Sequence, residues 1–278
     1  MCEKILLELE NYREYLITNE KSLATINKYC HEIYDFYEYI GSSDITKETI
    51  IKYKTHLLND PKYKISTVNT KIIALNSYLK YKEMEKFCIK TIRIQSDSFI
   101  PEQMHLTKEE YNQLLRKALE EDKIRLYLVM KTLCTTGIRI SELRFFTYEN
   151  VESGMIEIYL KGKFRRIIIP DKLKSMLLKY CKENKITAGE IFLTKNKRPL
   201  DRSNLWRSLK KLADDAGIPR SNVFPHNFRH LFGQDYFYKT KAITRLGDVL
   251  GHSSIETTRI YLKTTSIAQK ECIEKLDL

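Results

Sequence analysis

Two imidazoles and a guanidinium share one stripe of the segment "FPHNFRHLFGQDYF", which begins at Phe224. At about 100° per residue, a helix entered through Pro225 gathers His226, Arg229, His230 and Gly233 on one face. Phe228, Leu231 and Phe232 fall on the opposite face. The polar stripe suits an oxyanion or phosphate, because arginine forks onto two oxygens while histidine moves a proton or donates a hydrogen bond. A metal fits less well. His226 and His230 are spaced i, i+4, but no glutamate follows the first histidine as in H-E-x-x-H, and Arg229 repels a cation. A merely solvated face is the bland alternative.

Three further segments hold residue types that belong with a phosphate. In "LCTTGIRISELRFF" one helix ends at Gly137 and another starts near Ser141, leaving Arg139 in the junction with Glu142 close enough to orient it. In "LKGKFRR" a short turn concentrates Lys161, Lys163, Arg165 and Arg166 beside Gly162, a composition suited to backbone contact and to a lysine that delivers a proton. In "LGHSSIETTRIYL" Gly251 reads as a helix stop and Ser253-x-x-Glu256 as a capping box, which pins His252 between two helices. On the second of these Ile255, Thr258 and Leu262 share a face, and Tyr261 falls about 100° from its centre.

The elements that must position these residues follow from hydrophobic period. Residues 5–92 repeat apolar positions at helical spacing through "ILLELENYREYL", "TINKYCHEIYDFYEYI", "ETIIKYKTHLL" and "TVNTKIIALNSYLKYKEME", which predicts about four helices and no strand. The aperiodic "RIQSDSFIPEQMHLT" separates them from a second region that opens with a helix at Lys108. There "GMIEIYLKGKFRRIIIP" reads as a hairpin, "EIFLTKNKRPL" as a further short strand, and the rest as helix. The fold class is therefore mainly α with a small antiparallel β-sheet. The expected boundaries are a helical domain over 1–95, a linker over 96–106 and a second domain over 107–278.

The net charge of +12 is uneven. Residues 1–100 carry 15 basic and 14 acidic side chains, so 33 of the 48 basic and 22 of the 36 acidic ones lie beyond them. Such a field attracts polyanions, nucleic acid first and anionic membrane second. The six cysteines are widely spaced without a C-x-x-C pair and read as reduced thiols. The charged N-terminus is no signal peptide and no run approaches 18 apolar residues, so a cytoplasmic protein without a membrane partner is expected.

Taken in order, Arg139 in "TGIRISEL", Lys161 in "LKGK", His226 and Arg229 in "PHNFRH", His252 in "LGHSS" and Tyr261 in "TTRIYL" resemble the active-site set of the tyrosine recombinases and phage-type integrases. The motifs span about residues 105–265, and the helical N-terminal part is similar to the family's core-binding domain in layout. The resemblance implies a two-domain DNA clamp that cleaves and rejoins strands through a 3′-phosphotyrosyl link. Tyr261 is then the nucleophile, Arg139 and Arg229 clamp the non-bridging oxygens, and His226 serves as general base or acid. His252 hydrogen-bonds the phosphate, with Glu142 and His230 in support. Lys161 protonates the leaving 5′-oxygen, although Lys163 competes for that role because the family usually has a small or polar residue there. Lys163, Arg165 and Arg166 contact DNA.

One phosphodiester is exchanged for another, so neither metal nor cofactor is expected. The implied partners are double-stranded DNA bearing a specific site and three further copies of the chain, two protomers per site. The final "SIAQKECIEKLDL" then forms a short helix that docks on a neighbouring subunit. With no room for an arm-binding domain, the simple Xer-like type is favoured. The rival reading is an inactive DNA-binding accessory protein or repressor of the same fold.

Overall fold

The computed structural model describes residues 2–93, 105–160, 163–194, 196, 198–252, 254–259 and 261. The chain divides into two compact units, 1–96 and 97–278. In the first, four helices α1 (Cys2–Thr18), α2 (Leu23–Ile40), α3 (Lys47–Asn59) and α4 (Ile65–Tyr81) bury Tyr12, Leu16, Ile33, Phe36, Ile50, Ile72 and Leu75 among them. Ser22 caps α2 and a Thr46–Thr49 capping box starts α3, so the polar breaks in the sequence become helix starts. Lys71, buried in this unit, is held by Glu32 and Asp35, which supply the countercharge that burial demands.

In the second unit α5 (Lys108–Glu120) begins at a Thr107–Glu110 capping box, and α6 (Ile124–Thr136) runs through the core. Gly137 ends α6 in the left-handed region at φ 61°. A side chain there would meet strain and also collide with Phe232, whose Cδ1 lies 2.3 Å from the added Cβ position. A 3-10 turn at Ile140–Phe145 and α7 (Tyr148–Ser153) lead into the antiparallel pair β1 (Met155–Leu160) and β2 (Lys163–Ile168). Period two sorts this hairpin into faces. Ile156, Ile158 and Ile167 are buried, whereas Tyr159, Phe164 and Ile168 are exposed.

After α8 (Asp171–Glu183) the expected strand in "EIFLTKNKRPL" is reduced to two single bridges, Thr147 with Glu190 and Leu193 with Pro199. The described chain then continues helical through α9 (Arg202–Asp215), α10 (Pro225–Thr240), α11 (Ile243–Leu250) and α12 (Ile255–Arg259). Pro225 occupies the first turn of α10, as its fixed φ and missing N–H favour. Cys30, Cys88, Cys134 and Cys181 are free thiols. No described helix is long and apolar enough to cross a membrane.

Candidate active site

Arg229 is the centre of the site and almost wholly buried, at 1 % exposure. Its Nη1 donates to the carbonyl of Gly137 at 2.6 Å and its Nη2 to that of Leu250 at 2.7 Å. Those carbonyls stand at the C-terminal ends of α6 and α11, where helices leave acceptors unpaired and carry partial negative charge. One guanidinium therefore caps two helices, which explains how α10 tolerates a buried cation. Its remaining donors face the chemistry: Nε reaches the Tyr261 hydroxyl at 3.3 Å and Nη2 lies 2.9 Å from His252 Nε2.

That last contact fixes the histidine's tautomer. Arginine only donates, so His252 Nε2 accepts and the ring proton sits on Nδ1, which donates to Thr258 Oγ1 at 2.9 Å. Thr258 is fully buried on α12, and Gly251, in the left-handed region at φ 64°, ends α11 directly before the histidine. Burial, with Arg229 and Arg139 close by, pushes the His252 pKa down to about 4 and keeps the ring neutral. The His252 and Tyr261 rings stack at 5.7 Å with planes 10° apart.

Tyr261 is 3 % exposed and packs with Leu246 and Leu250, although helical period turns it away from the apolar face. Tyr261 itself sits in a 3-10 turn, so the α-helical period does not carry through to it; Ile255, expected to be apolar-facing, is half exposed. The tyrosine ring lies on Gly233, where an added Cβ would sit 2.7 Å from Cδ1. Gly233→Ala is accordingly expected to displace the phenol and to lower stability by about 1–3 kcal/mol even though alanine favours helix. Urea unfolding checks this, and unchanged stability would show that the ring needs no such seat.

Around this centre the polar stripe of α10 divides. His226 is exposed, whereas His230 is buried with its ring 4.5 Å from that of His226 and 4.7 Å from that of Tyr261. Burial, then His226 and His105, drives the His230 pKa down to about 3. Both His230 and His252 thus bind protons less readily when folded than at their ordinary value of 6.5. Their stabilising contribution is complete above about pH 6.5 and is lost as pH falls through about 4 for His252 and 3 for His230. The thermal unfolding midpoint of the chain should fall across that window, and His230→Gln should shallow the slope. A midpoint flat from pH 6.5 to 4 would contradict both assignments.

Arg139 is 46 % exposed at the junction after Gly137 and lies between two depressions. One, about 480 Å³, is lined by Arg139, His226, His252 and Tyr261; the other, about 460 Å³, by Arg139, His226, Arg229, Trp206 and Lys210. Glu142 folds back on the junction, accepting from the Arg139 backbone N–H at 2.8 Å and its Nη1 at 3.3 Å.

The basic turn does not stay together as one cluster. Lys161 lies outside the described residues, as do Gly162, Ser253, Leu262 and the final segment. Lys163 opens β2, and Arg166 is exposed on the outer face, paired with Glu157 at 2.8 Å. Arg165, expected to contact DNA, instead points inward with a side chain only 9 % exposed, bound to Glu142. Strand alternation is the reason: Arg165 shares the face of Ile167 and pairs across the hairpin with buried Ile158. In the described residues the cap of α12 is Ser254, whose Oγ accepts from the Glu256 N–H. Sequence reasoning missed Trp206 and Lys210 of α9, which stack at 5.0 Å beside the second depression. Their i, i+4 spacing was the available signal.

The helical scaffold thus brings Arg139, Arg229, His226, His252 and Tyr261 around one cleft, the residues whose order resembles the tyrosine recombinase set. Residues 104–266 match the phage integrase family and residues 9–86 its N-terminal SAM-like domain. The tyrosine recombinase XerA of Pyrococcus furiosus is 30 % identical over 97 % of this chain and 94 % of its own. The TnP I resolvase of Bacillus thuringiensis is 26 % identical over 96 % and 99 %. The fold is also that of XerH site-specific recombinase bound to its difH substrate before cleavage, with TM-score 0.70 and 21 % identity over 95 % of this chain and 82 % of that one. A lambda integrase tetramer bound to a Holliday junction aligns with TM-score 0.72 at 19 % identity over 91 % and 76 %. The chain belongs to the phage integrase family, and within it to the Xer-like tyrosine recombinases, enzymes of site-specific DNA recombination.

Proposed function

We propose that Tyr261 attacks a DNA phosphodiester, forming a bond from its phenolic oxygen to phosphorus while the bond to the 5′-oxygen breaks. The phenolic proton leaves through His226, and Lys161 or Lys163 protonates the departing 5′-hydroxyl. The 5′-hydroxyl of a partner strand then attacks the 3′-phosphotyrosyl link and returns the proton to Tyr261. Arg139 and Arg229 stabilise the negative charge that builds on the non-bridging oxygens. In the complex His252 hydrogen-bonds a non-bridging oxygen, donating from Nε2 in place of accepting there from Arg229.

The observation that carries this reading is Arg229 Nε on the Tyr261 hydroxyl, beside His252 and the exposed Arg139. That donor holds the phenolic oxygen, the atom that attacks, at the edge of the cleft. Four protomers on two DNA sites would supply the partner strands, with the domains on either side of the 96–106 linker both binding DNA; a lambda integrase is a tetramer when bound to a Holliday junction. The test is covalent capture. The full chain is incubated with fragments of the genome that encodes it, nicked to trap the cleaved state, and denatured. DNA should remain attached through the peptide that contains Tyr261, and sequencing it gives the site. An adduct through another residue would overturn the role of Tyr261, and no adduct at all would favour the inactive DNA-binding alternative.

A further inference from the structure

The hairpin arginine that turned inward has a use that the catalytic set does not assign. Glu142 is the carboxylate that Arg139 and Arg165 share, and it is buried at 4 % exposure. Two guanidiniums compete for it unequally. Arg165 Nη1 reaches both carboxylate oxygens, at 3.0 and 2.9 Å, whereas Arg139 Nη1 touches one of them at 3.3 Å. Arg165 Nη2 also donates to the Val249 carbonyl at 2.8 Å, so β2 is tied to the end of α11 just ahead of His252. Gly251 makes room for this, since a Cβ there would lie 2.6 Å from Arg165 Cδ. Arg165 Nε is buried without a hydrogen-bond partner, so the carboxylate's charge rather than full hydrogen bonding holds the side chain in place.

We infer that Arg165 is a positioning residue that neutralises Glu142, so that the Arg139 guanidinium stays free for the scissile phosphate. A buried carboxylate left without Arg165 would draw in the nearest cation, and the nearest is Arg139. Glu142 accordingly orients Arg139 mainly through the backbone N–H, and its charge is spent on Arg165. This rests on the proposed phosphate role of Arg139.

The test is a charge cycle on the full chain, with the nicked duplex recovered by the wild type as substrate and adduct rate, DNA affinity and thermal unfolding as readouts. Arg165→Met keeps the length and removes the charge; its adduct rate should fall by ~10²-fold with affinity retained, as when one transition-state donor is withdrawn. Adding Glu142→Gln removes the stranded charge and should restore the rate by ~10-fold or more, a coupling expected of groups in contact. Arg165→Lys, which keeps the cation and serves if the methionine variant does not fold, should stay within about 10-fold of wild type. A double variant no faster than Arg165→Met, or a lysine variant as slow as the methionine one, would make Arg165 a structural bolt and overturn the inference. If the wild type forms an adduct and Arg165→Met matches its rate, only this inference falls. If the wild type forms none, the tyrosine reading falls and takes it along.

Discussion

Arg229→Ala is expected to lower the stability of the chain by about 3 kcal/mol or more, while Arg139→Ala leaves it nearly unchanged and loses cleavage on the order of 10²–10³-fold. The two arginines are alike in the chemistry proposed for them and opposite in setting. Removing the buried guanidinium strands the carbonyls of Gly137 and Leu250, each costing about 1–3 kcal/mol, and empties a large side-chain volume between α6, α10 and α11. That is a substantial part of the about 5–15 kcal/mol that holds a domain folded. Arg139 is half exposed, and among the described residues its side chain bonds the already paired Glu142. Urea unfolding curves alongside adduct rates on the captured site separate the cases. Equal stability in the two variants would mean that the Arg229 cap on two helix ends is dispensable.

Tyr261→Phe should bind the recombination site as the wild type does and form no covalent adduct at all. Phenylalanine keeps the ring on Gly233 and against His230 and His252, so packing survives. What disappears is the oxygen and with it, among the described residues, the hydrogen bond from Arg229 Nε at 3.3 Å. The unfolding free energy is therefore expected to change by no more than about 1 kcal/mol. Gel shifts and denaturing gels on one captured duplex measure both halves; an adduct formed by the phenylalanine variant would remove Tyr261 from the mechanism.

The helical scaffold was legible because its signals are local. Four amphipathic repeats became α1–α4, Thr107 and Glu110 marked the start of α5, and the β-branched run around "LKGK" became β1 and β2. The residues of the cleft were legible as types at ordered positions, but their surroundings were not. Composition marked "LKGKFRR" as one basic tip, whereas strand alternation sends Arg165 into the core and Arg166 out. Helical period put Tyr261 off the apolar face, yet Tyr261 lies in a 3-10 turn and tertiary packing sets the ring. The carbonyl partners of Arg229 come from positions 92 and 21 residues away in the chain, a relation no sequence window contains.

Arg229's double cap also bears on how such a sequence can decay. A lineage that abandons strand exchange but keeps the fold for DNA binding is free to lose Tyr261 or Arg139, whose removal harms little besides chemistry. It is not free to lose Arg229, because the helices would lose their clasp. Survival of that arginine in a related chain therefore testifies to an intact scaffold, and only the exposed arginine and the tyrosine testify to a working enzyme.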